Sequence, residues 1–437
     1  MSKDTSSQSI VVGFAGMTHL GIVSSASVAA KGFLTICYDP DDKPIARLAA
    51  GDIPVVEPDL DDLIRANGAR QVFTADLSRL AECDVVYIST DVPTDDSGKS
   101  DLKGIIALLD RVGGVLKPDA LLVILFQAPP GFSRALRVVP QERLYYQVET
   151  LVFGRAVQRA LHPERTIVGC ADPSAPIEPR YLAVLSAFGC PILPMRYESA
   201  ELAKIAINCC LVSSISVANT LSEICEKIGA DWSEIAPSLR LDARIGAHAY
   251  LAPGLGIAGG NLERDLATIV ALSERHHTDS GVVRAWIANS KHRRDWAART
   301  IRSALLDHKP QAKIAVWGLA YKENTHSIKN SPSLTTIAAL PEARFVVHDP
   351  VVSADVVRHA RVEAGADPLS ILADAEALLI LTPWPQYRAL IADAVARNMR
   401  GRIVVDPYSV LGQKAAKEAG LDYYCLGAPR QAAQENA

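Results

Sequence analysis

Short β-branched runs alternate with stretches of helical spacing twice along this chain, and that alternation constrains its fold more than any other feature. In the first half, residues 10–13, 34–38, 72–74, 85–89, 121–126 and 166–168 read as buried strands. Residues 60–67 and 105–116 between them carry helical spacing, and a strand-like 191–194 closes this part. Strands without polar alternation need cover on both faces, so the pattern predicts a parallel sheet sandwiched by helices. From about Glu198 the character changes. Residues 198–229 have no proline or glycine before Gly229 and an apolar pattern compatible with one long helix. It is too apolar to stand alone and is expected to be buried, with a partner subunit as one candidate cover. More helix is expected through Arg302. After His308-Lys309-Pro310 the alternation resumes at 314–318, 345–348, 378–382 and 403–405. The chain is therefore divided as 1–197, 198–308 and 309–437: two α/β units around a helical middle. No internal sequence repeat is evident, but the similar halves hint at pseudo-symmetry.

Composition narrows the class. The 437 residues suffice for two or three domains with their own cores. With 49% hydrophobic and 22% charged residues and a net charge of −4, disorder and nucleic-acid binding by charge are poor fits. The eight cysteines, at 37, 83, 170, 190, 209, 210, 225 and 425, contain no C-x-x-C pair and read as reduced thiols. The polar start MSKDTSSQSI lacks the pattern of a signal peptide. No apolar run is expected to reach membrane-spanning length, because Lys204, Asn208 and several serines interrupt 202–218. The expectation is a soluble cytoplasmic protein with a frayed 431–437 tail. No histidine pairing suggests a metal, and His276-His277 read as surface residues.

The first strand runs into Gly13-Phe14-Ala15-Gly16-Met17-Thr18-His19-Leu20-Gly21. The best dinucleotide fingerprint in it is Gly16-x-Thr18-x-x-Gly21, with Thr where a middle glycine is expected. Gly16 serves the tight turn and Gly21 the close helix–strand packing. Thr18 must either shift the cofactor or bond it through its hydroxyl. Asp39, 18 residues beyond Gly21 at the end of the second strand, suits a ribose 2′-hydroxyl and disfavours a 2′-phosphate, so NAD is expected rather than NADP. Without Asp39, the glycines alone are equally a strand–helix turn.

Several further motifs together resemble the UDP-glucose/GDP-mannose dehydrogenase family, NAD-dependent enzymes that oxidise nucleotide sugars. Val92-Pro93-Thr94 with Gly98 and Asp101-Leu102 is similar to its VPTP…G…DL loop, and Ala128-Pro129-Pro130-Gly131 to its S-x-V-P-x-G turn. Residues 149–156 resemble E-F-L-x-E-G-x-A, and Pro163-Glu164-Arg165 with Val168-Gly169 resembles P-x-R-x-x-x-G. Residues 199–208 resemble S-A-E-x-x-K-x-x-x-N, with Lys204 and Asn208 on one helical face. Residues 242–246 and 253–265 resemble D-x-R-I-G and the glycine-rich active-site loop. Residues 318–325 with Ser331-Pro332 match G-L-x-x-K-x-x-T…S-P, and His348-Asp349-Pro350, Thr382-x-Trp384 and Asp406 extend the register.

The resemblance implies an α/β fold of two Rossmann-like doubly wound domains joined by a long central helix that also forms a homodimer interface. NAD would occupy the first domain, through Gly16, Thr18, His19, Leu20, Gly21, Asp39, Thr90 and Gln127. The nucleotide of a UDP-sugar would occupy the last, with Arg244, Tyr250, Gly256 and Lys322 as substrate contacts. By the same resemblance Lys204 and Asn208 hold the substrate oxygen, and Asp265 accepts the hydroxyl proton through a water. Glu149 and Asn261 complete the catalytic set.

The family reaction is two hydride transfers, alcohol to acid, through a cysteine in the glycine-rich loop. Four residues before Asp265 stands Asn261, and no cysteine lies between Cys225 and Cys425. An amide cannot serve as the nucleophile. Phe153 takes the place of the second Glu of E-F-L-x-E-G; Phe126 and Gln127 sit where many members carry Ser and Thr. Tyr408 takes the Arg place of D-x-R-N, and Ser327 with Lys329 replaces D-x-R. The expected activity is therefore a single NAD-dependent alcohol oxidation of a nucleotide sugar, in cell-surface polysaccharide or specialised sugar synthesis. An epimerase using transient oxidation, or a non-catalytic sugar-nucleotide binder, stands as the alternative. At residue level, Asn261 is either a substrate contact or a turn residue in the left-handed region, Asp265 a base or a helix cap, and Glu149 a site residue or a structural one. Lys204 is read as a site residue rather than a solvated lysine, and Lys322 as suiting phosphate rather than pairing with a surface acid.

Overall fold

The computed structural model describes residues 10–93, 95 and 100–430. Thr94, Gly98, the first nine residues and the 431–437 tail, all used above, lie outside the described residues. Two compact units are present, one up to Ile207 and one from Asn208.

The first unit is built on eight strands: β1 (Val11–Ala15), β2 (Leu34–Tyr38), β3 (Gln71–Thr74), β4 (Val85–Ile88), β5 (Leu121–Ile124), β6 (Leu144–Gln147), β7 (Thr166–Cys170) and β8 (Ile192–Arg196). Their spatial order is β3-β2-β1-β4-β5-β6-β7-β8. The central strands are buried along their length, as their unbroken apolar runs require. One expectation is corrected: β6 pairs antiparallel with β7, while every other pair in the sheet is parallel. Strand β6 itself was not anticipated, being four residues wedged between charged and proline-rich sequence. The helix His19–Ala30 follows β1 and is buried on almost every side.

The second unit carries six strands: β9 (Lys313–Trp317), β10 (Arg344–His348), β11 (Val362–Ala364), β12 (Ala377–Ile380), β13 (Ile403–Val405) and β14 (Asp422–Tyr424). Their order, β11-β10-β9-β12-β13-β14, repeats the winding of β3-β2-β1-β4-β5-β6, and all are parallel. In both sheets the strand order reverses beside the first strand, β1 next to β4 and β9 next to β12. That is where doubly wound sheets open a crevice at their carboxyl ends.

A single helix, Tyr197–Ile228, runs unbroken for 32 residues from the first unit into the second. Tyr197 and Ala200 sit in the core of the first sheet. Further on, Val212, Ala218 and Cys225 belong to two small clusters of the second unit. Val217, Leu221, Ile224 and Ile228 are exposed, at 48%, 42%, 47% and 70%. Their spacing of four, three and four residues puts them on one face. The expectation about length is also amended: by length and composition alone this helix is apolar enough to cross a membrane. All eight cysteines are free thiols, with Cys210 the exposed one.

Candidate active site

Local geometry explains the first glycine turn. Gly16 has φ +103°, and a side chain there would put Cβ 2.7 Å from that of Thr90. Gly21 lies against the turn itself, since its Cβ would stand 1.9 Å from the Gly16 carbonyl oxygen. The Gly16 N–H donates to the Tyr38 carbonyl at 2.8 Å, and the Met17 N–H to Asp39 Oδ2 at 2.7 Å. Gly16, Gly21, Asp39 and Thr90 are thus brought together. Thr18 precedes the helix with extended backbone and makes no side-chain cap. Its hydroxyl oxygen instead accepts the Asp91 N–H at 2.9 Å, tying the helix start to the chain after β4. The Asp91 carboxylate in turn bonds Thr18 and the Leu20 N–H, so the fit of this turn to a dinucleotide pyrophosphate rests on its two glycines without room for Cβ.

The second unit repeats this turn and closes it. Gly318, φ +95°, would meet Thr382 Cβ at 2.3 Å, and its N–H donates to the His348 carbonyl at 2.8 Å. Here, however, Asp349 accepts from Leu319, Ala320, Val351 and Val352 backbone N–H groups and from the Trp384 indole. Among the described residues Asp39 takes only the Met17 and Asp41 N–H groups. A carboxylate has about four acceptor positions. Asp39 therefore retains acceptor capacity for a ribose hydroxyl that Asp349 has lost, which favours the first turn as the dinucleotide site.

His19 and Leu20 are both buried at the start of the His19–Ala30 helix. The His19 ring packs 4.3 Å from that of Phe153, and its Nε2 lies 3.0 Å from Glu57 Oε2. Gln127 is half-buried beyond β5. Glu149 and Lys204 form a pair: Lys204 Nζ donates to the Glu149 carbonyl at 2.9 Å and lies 3.1 Å from its carboxylate. Their side chains are 18% and 11% exposed, so Lys204 is no solvated surface lysine.

In the second unit Asn208 Nδ2 donates to Asp265 Oδ2 at 2.5 Å. Both are buried, Asp265 at 1% exposure, with Arg264 Nε 3.7 Å from its other oxygen. Asp265 is the fifth residue of the helix Asn261–His276 and does not cap it. That task falls to Glu263, which accepts the Gly260 N–H at 3.0 Å. The left-handed residues of the loop are Gly256 at φ +73° and Gly259 and Gly260, both φ +91°, while Asn261 is the first helical residue and exposed. The turn-residue reading of Asn261 is therefore corrected: the glycines carry the unusual backbone. Gly259 is also where the loop meets Tyr321, whose ring would be 2.8 Å from an added Cβ, and its N–H donates to the Lys329 carbonyl at 3.0 Å. Lys322, next to Tyr321, is half-buried with its Nζ 5.6 Å from that ring.

Cys209, adjacent to Asn208, has its thiol pushed up to about 11 by burial, with the Asp265 carboxylate adding to the effect. It is held as an inert thiol. Gly256 (φ +73°) is packed against Ser290, whose carbonyl oxygen would lie 2.4 Å from a Cβ. Arg244 is exposed and bonds its own neighbour Asp242 through two nitrogens; Tyr250 is 47% exposed. A cavity of about 700 Å³ in this unit is bordered by Trp232, Arg240, Pro253, Arg388, Tyr408 and Gln413. Among the described residues no group of three or more His, Cys, Asp or Glu has metal-binding geometry.

Sequence reasoning missed the acids that hold these segments. Glu57, Glu201 and Glu263 each accept backbone N–H groups: Glu201 from Gly131 and Ser133, Glu57 from Gly154 and Ala156. Glu201 lies inside the S-A-E motif and Glu263 inside 253–265, while nothing in the sequence marked Glu57.

Comparison with known proteins agrees with this division of labour. Residues 10–182 match the NAD binding domain of the UDP-glucose/GDP-mannose dehydrogenase family, 198–291 its central domain and 315–413 its UDP binding domain. The chain is 28% identical over 439 residues to UDP-glucose 6-dehydrogenase of Pseudomonas aeruginosa, covering 95% of this chain and 97% of that one. It is 28% identical over 429 residues to UDP-glucose 6-dehydrogenase TuaD of Bacillus subtilis, covering 95% and 92%. Among solved structures, a UDP-glucose dehydrogenase from Pyrobaculum islandicum superposes with a TM-score of 0.85 at 26% identity, covering 98% and 100%. With its three parts matched in order and NAD as the cofactor of its first domain, this chain belongs to the UDP-glucose/GDP-mannose dehydrogenase family.

Proposed function

We propose that this protein oxidises one alcohol of a UDP-type nucleotide sugar with NAD and releases the carbonyl product. The observation that carries this reading is the contrast between the retained Lys204, Asn208 and Asp265 and the amide at position 261. Asn208 and Asp265 are buried and bonded to each other, and Lys204 lies one helical turn before Asn208 in the same helix. In this reading the Lys204 ammonium and the Asn208 amide hold the substrate oxygen, stabilising negative charge as it develops. Asp265 accepts the hydroxyl proton through a water. NAD, when bound, supplies the hydride acceptor. A second oxidation by thioester chemistry needs a thiolate, and Asn261 provides none; Cys209 does not replace it, its thiol being held near 11.

The substrate side draws on the cavity of about 700 Å³. Arg240 and Arg388 border it without an acidic partner among the described residues, and two free guanidinium groups suit a diphosphate. Trp232, Pro253 and Tyr408 supply apolar walls for a base. Lys322 and Asn261 then act toward the sugar, with Arg244 and Tyr250 reaching from an exposed stretch. The exposed stripe Val217, Leu221, Ile224 and Ile228 supports a homodimer formed through the long helix. The eight free cysteines fit a cytoplasmic setting.

The test is a panel of UDP-, GDP- and dTDP-sugars with NAD, followed by NADH absorbance, for wild type, Lys204→Met and Asp265→Asn. NADH formation on one or a few UDP-sugars, lost in both variants, is expected. Wild-type silence across the panel, or full activity in either variant, contradicts the reading.

A further inference from the structure

The segment between β6 and β7 begins with Val148 and Glu149 and has no regular structure until the short helix Ala156–Leu161. Such a stretch holds one conformation only if side chains bind its polar backbone. Four side chains do so. Lys204 bonds the Glu149 carbonyl, and Arg159 Nε bonds the Thr150 carbonyl at 2.7 Å. Glu149 itself accepts the Leu151 N–H at 2.8 Å. The far end belongs to Glu57, from a loop almost a hundred residues earlier: Oε2 accepts the Gly154 N–H at 3.0 Å and Oε1 the Ala156 N–H at 2.7 Å. The same Oε2 meets His19 Nε2 at 3.0 Å, and the His19 ring rests on Phe153. Glu57 has no exposed side-chain surface, so its carboxylate is fully committed to these three partners.

We propose that Glu57 is a positioning residue, coupling the NAD-binding turn that contains His19 to the segment that presents Glu149. Its three bonds join parts of the chain that no regular element connects. His19 is the first residue of the helix whose start faces the cofactor, so NAD bound there restricts His19, and through Glu57 it restricts Gly154 and Ala156. The reverse also holds by thermodynamic linkage: order at 154–156 favours NAD. The inference rests on NAD binding by the first domain and not on the single-oxidation reading, so it is tested without any nucleotide sugar.

The experiment compares wild type, Glu57→Gln and His19→Phe. Calorimetry with NAD gives affinity, and amide hydrogen exchange at 154–156 is followed with and without NAD. His19→Phe keeps a ring against Phe153 and leaves both backbone bonds of Glu57 in place, so it separates coupling from structural support. Charge-assisted bonds of this kind imply roughly a tenfold weakening of NAD in each variant. In wild type NAD should slow exchange at Gly154 and Ala156. In His19→Phe exchange without NAD should match wild type, and the NAD-dependent slowing should vanish. NAD affinity within twofold of wild type in both variants, slowing that persists in His19→Phe, or no slowing in wild type would overturn the proposal. A purely structural role for Glu57 predicts the first two of those outcomes together with a lowered melting temperature in Glu57→Gln.

Discussion

Asp265 is 1% exposed and bonded to Asn208, an arrangement that costs desolvation and that the amide's hydrogen bond helps to offset. If Asp265 moves the substrate proton, Asp265→Asn should lower kcat by about 10²–10⁴-fold with little change in NAD affinity, measured by steady-state kinetics beside calorimetry. An equal loss in both would instead indicate a damaged first domain. Glu57 carries a pH signature of its own. Burial works to raise its carboxyl, but bonds from His19, Ala156 and Gly154 hold it below its ordinary value of 4.5. A depressed carboxylate contributes stability that is complete above its unfolded value and is lost as pH falls through its folded one. Wild type should therefore lose melting temperature more steeply than Glu57→Gln as pH drops below 4.5; parallel curves would contradict this. Lys204, Asn208 and Asp265 were legible from the motif spacing, because their place on helices follows from local sequence. Glu57 was not. An acid that binds backbone N–H groups almost a hundred residues away looks, in sequence, like any surface acid.

Strands and helices show the same boundary between local and tertiary information. The helix Leu60–Asn67 and strand β13 fall where the sequence pattern puts them, residue for residue. The helix His19–Ala30 has no polar face to betray it, being covered nearly all round, and the glycine turn before it was the better signal. The antiparallel pairing of β6 with β7 depends on a long return through 148–165, which no local pattern encodes, although β7 itself was expected at 166–168. The turns are more exacting. Gly318→Ala would drive Cβ into Thr382 at φ +95°, costing about 2–4 kcal/mol from strain and overpacking, readable by denaturant unfolding. A loss below about 0.5 kcal/mol, typical of neutral surface changes, would show that the turn relaxes. On the long helix, Leu221→Glu with Ile224→Glu tests the proposed homodimer: if the exposed stripe is its seam, the charges should leave a monomer in light scattering after size exclusion. An unchanged mass would remove the helix stripe from the interface.

Across the whole molecule, two sheets share one winding but not one chemistry. The first keeps a carboxylate with spare acceptor capacity at its turn; the second has filled the equivalent carboxylate with five donors. That contrast matches the NAD binding and UDP binding parts of the family. The family was legible in the ordered motifs, while the closed second turn and the committed acids needed coordinates. The proposed single oxidation rests on the amide at 261 and the aromatic at 153, where Phe153 rests on His19. Because both positions differ, Asn261→Cys alone should not yield acid. The most direct measurement is the ratio of NADH formed to product formed by wild type on its preferred UDP-sugar, with the product mass recorded in the same sample. One NADH per product, and a product lighter by two hydrogens, is the predicted result. Two NADH per product and the mass of an acid would contradict the account, because some group other than Asn261 would then be supplying the missing nucleophile.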